Sequence, residues 1–489
     1  MKSLLLTLAF ATSLNVQACT TIIIGRAASA DGSIMVARNV DPPNIRIYRG
    51  SFLYHPPTKD AYEIRGVQNQ FVHQVPPNSI GYSGLADIRY SNYSYEESGF
   101  NDLGVGVSAT ETILSNKKTL LVDPYVKQTG IGEESINSAV LPQARSARHA
   151  TQILGSLIEN YGAAEGFGVG LVDAKEAWYL ENAGGHHWVA VRIPDDAYFV
   201  SANQSRIGEV DLSDTANVLA SPGIARFAKT NGLFHPERGE KFNFRNIFGG
   251  DTERDVGYNY PRVAHLQGLF TASLHGQKVN GNSFPTFLKP DRKLSVSDVE
   301  EALKTYYVDT SSDPYTTKNP GATARPISVY RTTQSHILQT RGALPPAIAN
   351  VQYLNLGMTA LGMYVPFYHG VAVPEEFSIR VPDEPDSTSA FWKFRKVQLL
   401  AMQDFPRYAP MVRAAFDALR RTIAARQEDV EKEYIATYSK EPLKAKSLLD
   451  NFVQKSAADA LATAESLTNK IMLEMSADVE KKYRFPGNG

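Results

Sequence analysis

Cys19-Thr20-Thr21-Ile22-Ile23-Ile24-Gly25, then Ala30-Asp31-Gly32-Ser33, then Ile34-Met35-Val36-Ala37-Arg38-Asn39 is the stretch from which the fold can be read. The first run is β-branched and strand-like, because branched side chains suit a pleated surface. Asp31-Gly32 carries turn chemistry. The second run is again strand-like and stops at Asp41-Pro42-Pro43. Folded about residue 30, the two runs form a hairpin in which facing positions total about 60. Cys19 then faces the neighbourhood of Asp41, and Arg38 and Asn39 are carried to the same end. A guanidinium beside a thiol favours the thiolate, and a carboxylate can hold an ammonium.

Cys19 is the only cysteine among 489 residues. The eighteen residues before it read as an export leader, with Lys2 as the positive region and Leu4 to Leu14 as a short apolar run. Val16-Gln17-Ala18 then fits a small-x-small cleavage site. The run is too short to span a bilayer, and no later stretch is long enough, so no membrane span is expected. Export predicts a periplasmic or secreted protein. A lone cysteine there is an intermolecular partner or a reactive thiol. Three roles fit Cys19. It is inert; it is acylated, since Val16-Gln17-Ala18-Cys19 resembles a lipobox; or it is an N-terminal nucleophile whose own α-amine serves as base. An α-amine titrates near 8 and a thiol near 8.5, so proton exchange between them is nearly thermoneutral.

CTTIIIG, DGS and ARNVD resemble the opening of the N-terminal-nucleophile cysteine dipeptidases of the dipeptidase A type, related to secernins, penicillin V acylases and bile salt hydrolases. NDLGVGVSATET (101–112), EAWYLENAGGHHWVAVRIPDD (176–196), SANQSRIG (201–208), YRTTQSHILQTR (330–341), YVPFYHG (364–370) and SAFWKFRKVQLLA (389–401) extend the resemblance over nearly all the chain after the leader. The resemblance implies an α+β fold, a four-layer α/β/β/α sandwich of two antiparallel sheets with a helical C-terminal addition. It implies dipeptide hydrolysis through a thioester on Cys19, with no metal or organic cofactor and a small peptide as partner. Arg38 and Asp41 match the family's Arg-Asn-x-Asp element, and Asn203 matches an asparagine near the acyl intermediate. The related acylases carry an oxyanion-hole asparagine where this chain has Glu111. A carboxylate is a poor oxyanion donor, but it suits the free ammonium of a dipeptide or a surface strand edge. Arg226 is a candidate for a second active-site arginine, or an ordinary helix-face arginine. Two other functions remain open: an amidase or acylase acting on N-acyl amino acids or lactam amides, and a surface lipoprotein that binds peptides without cleaving them.

Three segments are expected: the leader over 1–18, a catalytic domain over 19–386 and a helical region over 387–489. Within the second, residues 209–290 read as an irregular insertion. Ser135 to Tyr161 has helical apolar spacing, three strands are predicted over 167–192, and Ser297 to Glu300 reads as a capping box. Apolar spacing in the C-terminal region suggests packing and a possible homo-oligomer contact. Net charge is −1, which carries no basic footprint for nucleic acid. His186-His187 points to opposite faces of a strand and lacks zinc-ligand spacing.

Overall fold

The computed structural model describes residues 19–42, 50–89, 93–277, 280–308, 310–316 and 324–484. The expected leader and the end of the Asp41-Pro42-Pro43 stop lie outside them. The first of two large antiparallel sheets has the order Tyr198–Ser201, Thr20–Ile24, Ile34–Val40, Gln334–Thr340, Asn350–Leu356, Val365–Tyr368. The second runs Val218–Ala220, His187–Arg192, Ala177–Ala183, Phe167–Val172, Gly106–Thr112, Ser94–Phe100, Tyr82–Arg89, Ser51–His55. Thr20–Ile24 and Ile34–Val40 are buried along their whole length. Both faces of these strands are covered, which is why they read as nearly unbroken apolar runs.

Three apolar clusters define the layers. Ile23, Val36 and Leu338 of the first sheet meet Tyr179 and Val189 of the second in the space between the sheets. Ile22, Ile24 and Ala37, on the opposite face, belong to one large apolar cluster with Val263 and Leu266 of the helix Tyr260–Phe270, Val299 and Leu303 of the helix Val296–Lys304, and Phe394, Val412 and Phe452 of the helices Ala390–Ala401, Phe405–Thr437 and Pro442–Lys482. Val107, Val169 and Leu180 of the second sheet pack outward on Leu154 and Ile158 of the helix Ala147–Tyr161. The architecture is therefore helix, sheet, sheet, helix, with a helical C-terminal region sharing the first sheet's outer core. Arg341 pairs with both carboxylate oxygens of Glu431 at 2.8 Å, and Tyr368 donates to the same carboxylate at 2.6 Å, joining the long helix to the sheet.

Several local expectations change. The helical stretch over 135–161 is two helices, Glu133–Val140 and Ala147–Tyr161. Pro142 has no N–H to continue the first, and Ser146 caps the second by accepting from the His149 N–H at 3.1 Å. The capping box is Ser295 with Asp298, two residues earlier than expected. Residues 209–290 are largely irregular, as expected, but not wholly so. They hold the helices Ile224–Thr230, Phe244–Phe248, Asp255–Tyr258 and Tyr260–Phe270. Their Gly, Asn and Phe content masked short helices whose buried residues, such as Val263 and Leu266, are few. Among the described residues no helix is long and apolar enough to cross a membrane.

The helix Ala147–Tyr161 sits so close to its sheet that a Cβ on Gly155 would lie 2.2 Å from the Trp188 ring. Alanine has the higher helix propensity by about 1 kcal/mol, yet overpacking a rigid ring costs about 1–3 kcal/mol. Gly155→Ala is therefore expected to lower the thermal midpoint by a few degrees, read by differential scanning fluorimetry. An unchanged or raised midpoint would show that the contact relaxes freely.

Candidate active site

The hairpin forms one residue away from the expected register, pairing Thr20 with Asn39, Thr21 with Arg38 and Ile24 with Met35. A one-residue slip exchanges the faces of a strand. Arg38 therefore shares the inter-sheet face with Thr21. Asn39 shares the other face with Thr20 and donates to the carbonyls of Leu303 at 3.0 Å and Ile327 at 3.3 Å. Asp41 is held on that side too: Thr332 Oγ1 donates to it at 2.5 Å and Arg325 forms an ion pair with it. Asp41 thus lies next to the position opposite Cys19, in the expected neighbourhood. By register that place belongs to Val40, and Asp41 faces away from the space between the sheets.

Cys19 is completely buried. Burial pushes its thiol well above the usual value, the Arg38 guanidinium pulls it back, and Glu111, Glu133 and Glu97 push it further up. Arg38 spans the gap between the sheets. It pairs with Glu97, donates to the carbonyls of Ala109 and Thr110, and lies 3.7 Å from Glu133. Glu133 is fixed in turn by the Thr110 N–H at 3.0 Å and the Tyr95 hydroxyl at 2.5 Å. Burial would lower the Arg38 guanidinium, but the charges of Glu97 and its neighbours reverse this and hold it above its ordinary value. Glu111 Oε1 accepts from Thr21 Oγ1 at 2.7 Å, while its buried Oε2 has no hydrogen-bond partner. Burial raises this carboxyl to about 8.

A second arginine reaches the strand that begins after Cys19 from the outer side. Arg262, on the helix Tyr260–Phe270, donates through Nη1 to the Cys19 carbonyl oxygen at 2.5 Å and to Thr20 Oγ1 at 2.9 Å. Its Nη2 donates to Asn203 Oδ1 at 3.0 Å and Asn259 Oδ1 at 2.5 Å. Asn203 is thereby tied to Cys19 through one guanidinium. Arg226 is exposed on the helix Ile224–Thr230 and joins none of these bonds among the described residues. The arginine that reaches Cys19 is Arg262, not Arg226.

Of the six residues named from sequence, Cys19, Arg38, Glu111, Asn203 and Asp41 come together at one end of the first sheet, and Arg226 does not. Glu97, Glu133, Asn259, Arg262 and Arg325 were missed. Asn259 and Arg262 sit three residues apart, on the stripe that continues through Val263, Leu266 and Phe270. A polar pair on an otherwise apolar helix face was the available signal. His336 is not free to act as a base. It pairs with Arg38 in register, is buried and pushed well below its usual value, and has both ring nitrogens engaged by Ser108 and Gln334. Among the described residues no group of three or more His, Cys, Asp or Glu could hold a metal ion.

A family model described as Peptidase family C69 matches residues 18–417. A "Probable dipeptidase" of Salmonella dublin is 46% identical over 74% of this chain and 84% of its own length. A "Probable dipeptidase" of Latilactobacillus sakei is 34% identical over 86% and 89%. A "Probable dipeptidase A" of Streptococcus pyogenes serotype M3 (strain SSI-1) is 32% identical over 94% and 98%. Among solved structures, a mutant conjugated bile acid hydrolase from Clostridium perfringens aligns at 13% identity and TM-score 0.30, covering 72% of this chain and 92% of that one. A superposition so loose carries no weight.

The buried charges make two expectations. Replacing Arg38 with Met strands Glu97 and Glu133 without their cation and is expected to destabilise the fold by about 3–5 kcal/mol, measured as a shift in the denaturant midpoint. A midpoint within experimental error of wild type would mean the acids are already neutral. Glu165 accepts from the Glu133 N–H at 3.3 Å, and burial together with Glu133 and Glu134 raises it to about 8. A carboxyl raised in the folded state contributes stability that is full below the unfolded value, about 4.3, and is lost as pH rises through about 8. Glu165→Gln cannot ionise, so its thermal midpoint should gain on wild type as pH rises from about 5 to about 8.5. A constant difference across that range would contradict the raised value.

Proposed function

This chain belongs to peptidase family C69, and on that premise we propose that it hydrolyses dipeptides with Cys19 as an N-terminal nucleophile, after export and removal of residues 1–18. The observation that carries the reading is a buried thiol with no histidine base beside it, placed where the family match begins. Burial keeps the thiol protonated while Cys19 nitrogen is an amide. Cleavage after Ala18 converts that nitrogen into an amine, which can take the thiol proton.

The sulfur then attacks the scissile carbonyl and an S–C bond forms. The carbonyl electrons move onto oxygen, where backbone N–H groups and the Asn203 amide are the proposed donors. Asn203 is held in place by Arg262, which donates to its Oδ1 at 3.0 Å. Collapse breaks the C–N bond, and the departing amine takes the proton held by the Cys19 amine. Water, deprotonated by the same amine, cleaves the thioester and returns the thiol. Arg38 stabilises the thiolate, since its guanidinium is the main charge opposing burial of the sulfur. The unpartnered Glu111 Oε2 accepts the dipeptide's free ammonium, and Asp41 with Arg325 orders the strand end behind Cys19.

Cys19→Ala should fold and be inactive, and iodoacetamide should label Cys19 of the wild type and abolish hydrolysis. A second test isolates the amine. Two cytoplasmic preparations without the leader, one starting at Cys19 and one retaining a Met before it, differ only in that residue. The extended form should be at least about 10²-fold slower on a dipeptide, the scale of a positioned acid–base group. N-terminal mass is checked before and after incubation. Equal turnover with a persistent extension would rule out the amine as base.

A further inference from the structure

Four arginines converge on one ring beside this site. The Arg254, Arg325 and Arg262 guanidinium carbons lie 3.9, 5.1 and 5.2 Å from the centre of the Tyr258 ring. Arg331 Nη2 donates to the Tyr258 hydroxyl at 2.8 Å. Arg262 is the residue that holds the Cys19 carbonyl, and Arg325 pairs with Asp41. Arg254 and Arg331 have no carboxylate within ion-pairing distance among the described residues, and Arg331 Nε is buried without a hydrogen-bond partner. Among the described residues the one carboxylate ion-paired within the cluster is Asp41, and the charge of Glu111 also acts on Arg262. Burial, with the positive charge of Arg325 next, pushes Arg262 down to about 9. Arg254 is exposed, and Tyr258 and Arg331 are half-buried, so the cluster opens to solvent.

A protein interior rarely gathers like charges without something to neutralise them. Cation–π contact with one Tyr offsets only a little of the cost. A guanidinium fork with a vacant edge is the usual receptor for a carboxylate. A dipeptide also demands such a receptor close to the nucleophile. Consecutive Cα atoms are about 3.8 Å apart, so the ammonium and the carboxylate both lie within about 5 Å of the scissile carbonyl carbon. Glu111 offers the anion for one end; the other end needs a cation.

Resting on the dipeptidase reading, we infer that the Tyr258-centred arginines form the subsite for the α-carboxylate of the substrate's C-terminal residue, with Arg331 as its principal ligand and Arg254 at its solvent entrance. Arg262 uses its donors on Cys19, Thr20, Asn203, Asn259 and the Tyr258 carbonyl, and Arg325 is paired with Asp41, so the donors left for a carboxylate are those of Arg331 and Arg254. The subsite explains how a chain of this family can be restricted to short peptides. A longer peptide would carry an uncharged amide to the place where the arginines meet a carboxylate, leaving their charge unmet.

The test compares alanyl-leucine with its C-terminal amide and with alanyl-aspartic acid, for wild type, Arg331→Gln and Arg331→Lys. Wild type should favour the free acid over the amide by about 10- to 100-fold in kcat/KM, the scale of one charge-assisted pair. Arg331→Gln should collapse that ratio toward 1, chiefly through KM for the acid, and Arg331→Lys should restore part of it. An undiminished ratio in Arg331→Gln, or equal losses on acid and amide, would overturn the assignment. A loss confined to alanyl-aspartic acid would move the ligand to the side-chain carboxylate and would also overturn it. Calorimetric binding of the acid and the amide to Cys19→Ala, with and without Arg331→Gln, reads the same ratio without turnover. If wild type cleaves neither peptide but Cys19→Ala still prefers the acid through Arg331, the dipeptidase reading fails and the subsite stands. If binding shows no preference, the subsite fails whatever the activity.

Discussion

A single buried cation between two sheets governs the arrangement of this protein. Arg38 leaves the first sheet, enters the second, and meets Glu97, the carbonyls of Ala109 and Thr110, and Glu133 from the helix behind them. Three layers are pinned by one side chain. Those partners cannot be replaced by water, because the space between the sheets is otherwise closed by Ile23, Val36 and Leu338. Buried charge of this kind adds little net stability, since desolvation offsets most of the attraction. What it does is fix register: only one pairing of the two first strands delivers the guanidinium to its acids.

Register in turn sets the division of labour around Cys19. The inner face carries the sulfur's electrostatic environment, Arg38 with Glu97, Glu133 and Glu111. The outer face carries the backbone of Cys19 and the strand end, through Arg262, Asn203 and the Asp41–Arg325 pair. Arg38 and its acids therefore act on the Cys19 side chain, and Arg262 on its backbone, from opposite faces of one strand. The inner side gathers carboxyls that burial raises, Glu111 to about 8, and the outer side gathers guanidinium groups.

The C-terminal helices share the first sheet's outer core with Ile22 and Ala37. The C-terminal helices back the far strands of that sheet, Asn350–Leu356 and Val365–Tyr368, while the helices Tyr260–Phe270 and Val296–Lys304 lie over the strands nearest Cys19. The segment read as irregular, 209–290, is likewise part of the site, because the helix that supplies Arg262 lies in it.

The sequence by itself determined the hairpin, the isolated cysteine at its start, the three strands over 167–192 and the apolar character of the C-terminal helices. Each rests on local chemistry: β-branched runs, Asp-Gly turns, alternation and 3.6-residue spacing. It also placed Arg38 near Cys19, because two residues on adjacent paired strands cannot be far apart. It could not decide which face Asp41 takes, since a hairpin register one residue longer or shorter has nearly the same local energy and differs only in what the side chains meet afterwards. It could not find Glu97, Glu133, Arg262 or Arg325, which lie tens to hundreds of residues from Cys19 and join it only when the sheets stack and the helices dock. For the same reason it offered Arg226, an exposed arginine on the wrong helix, in place of Arg262. A buried charge is recognisable only from its partners, and those partners are brought together by tertiary packing alone.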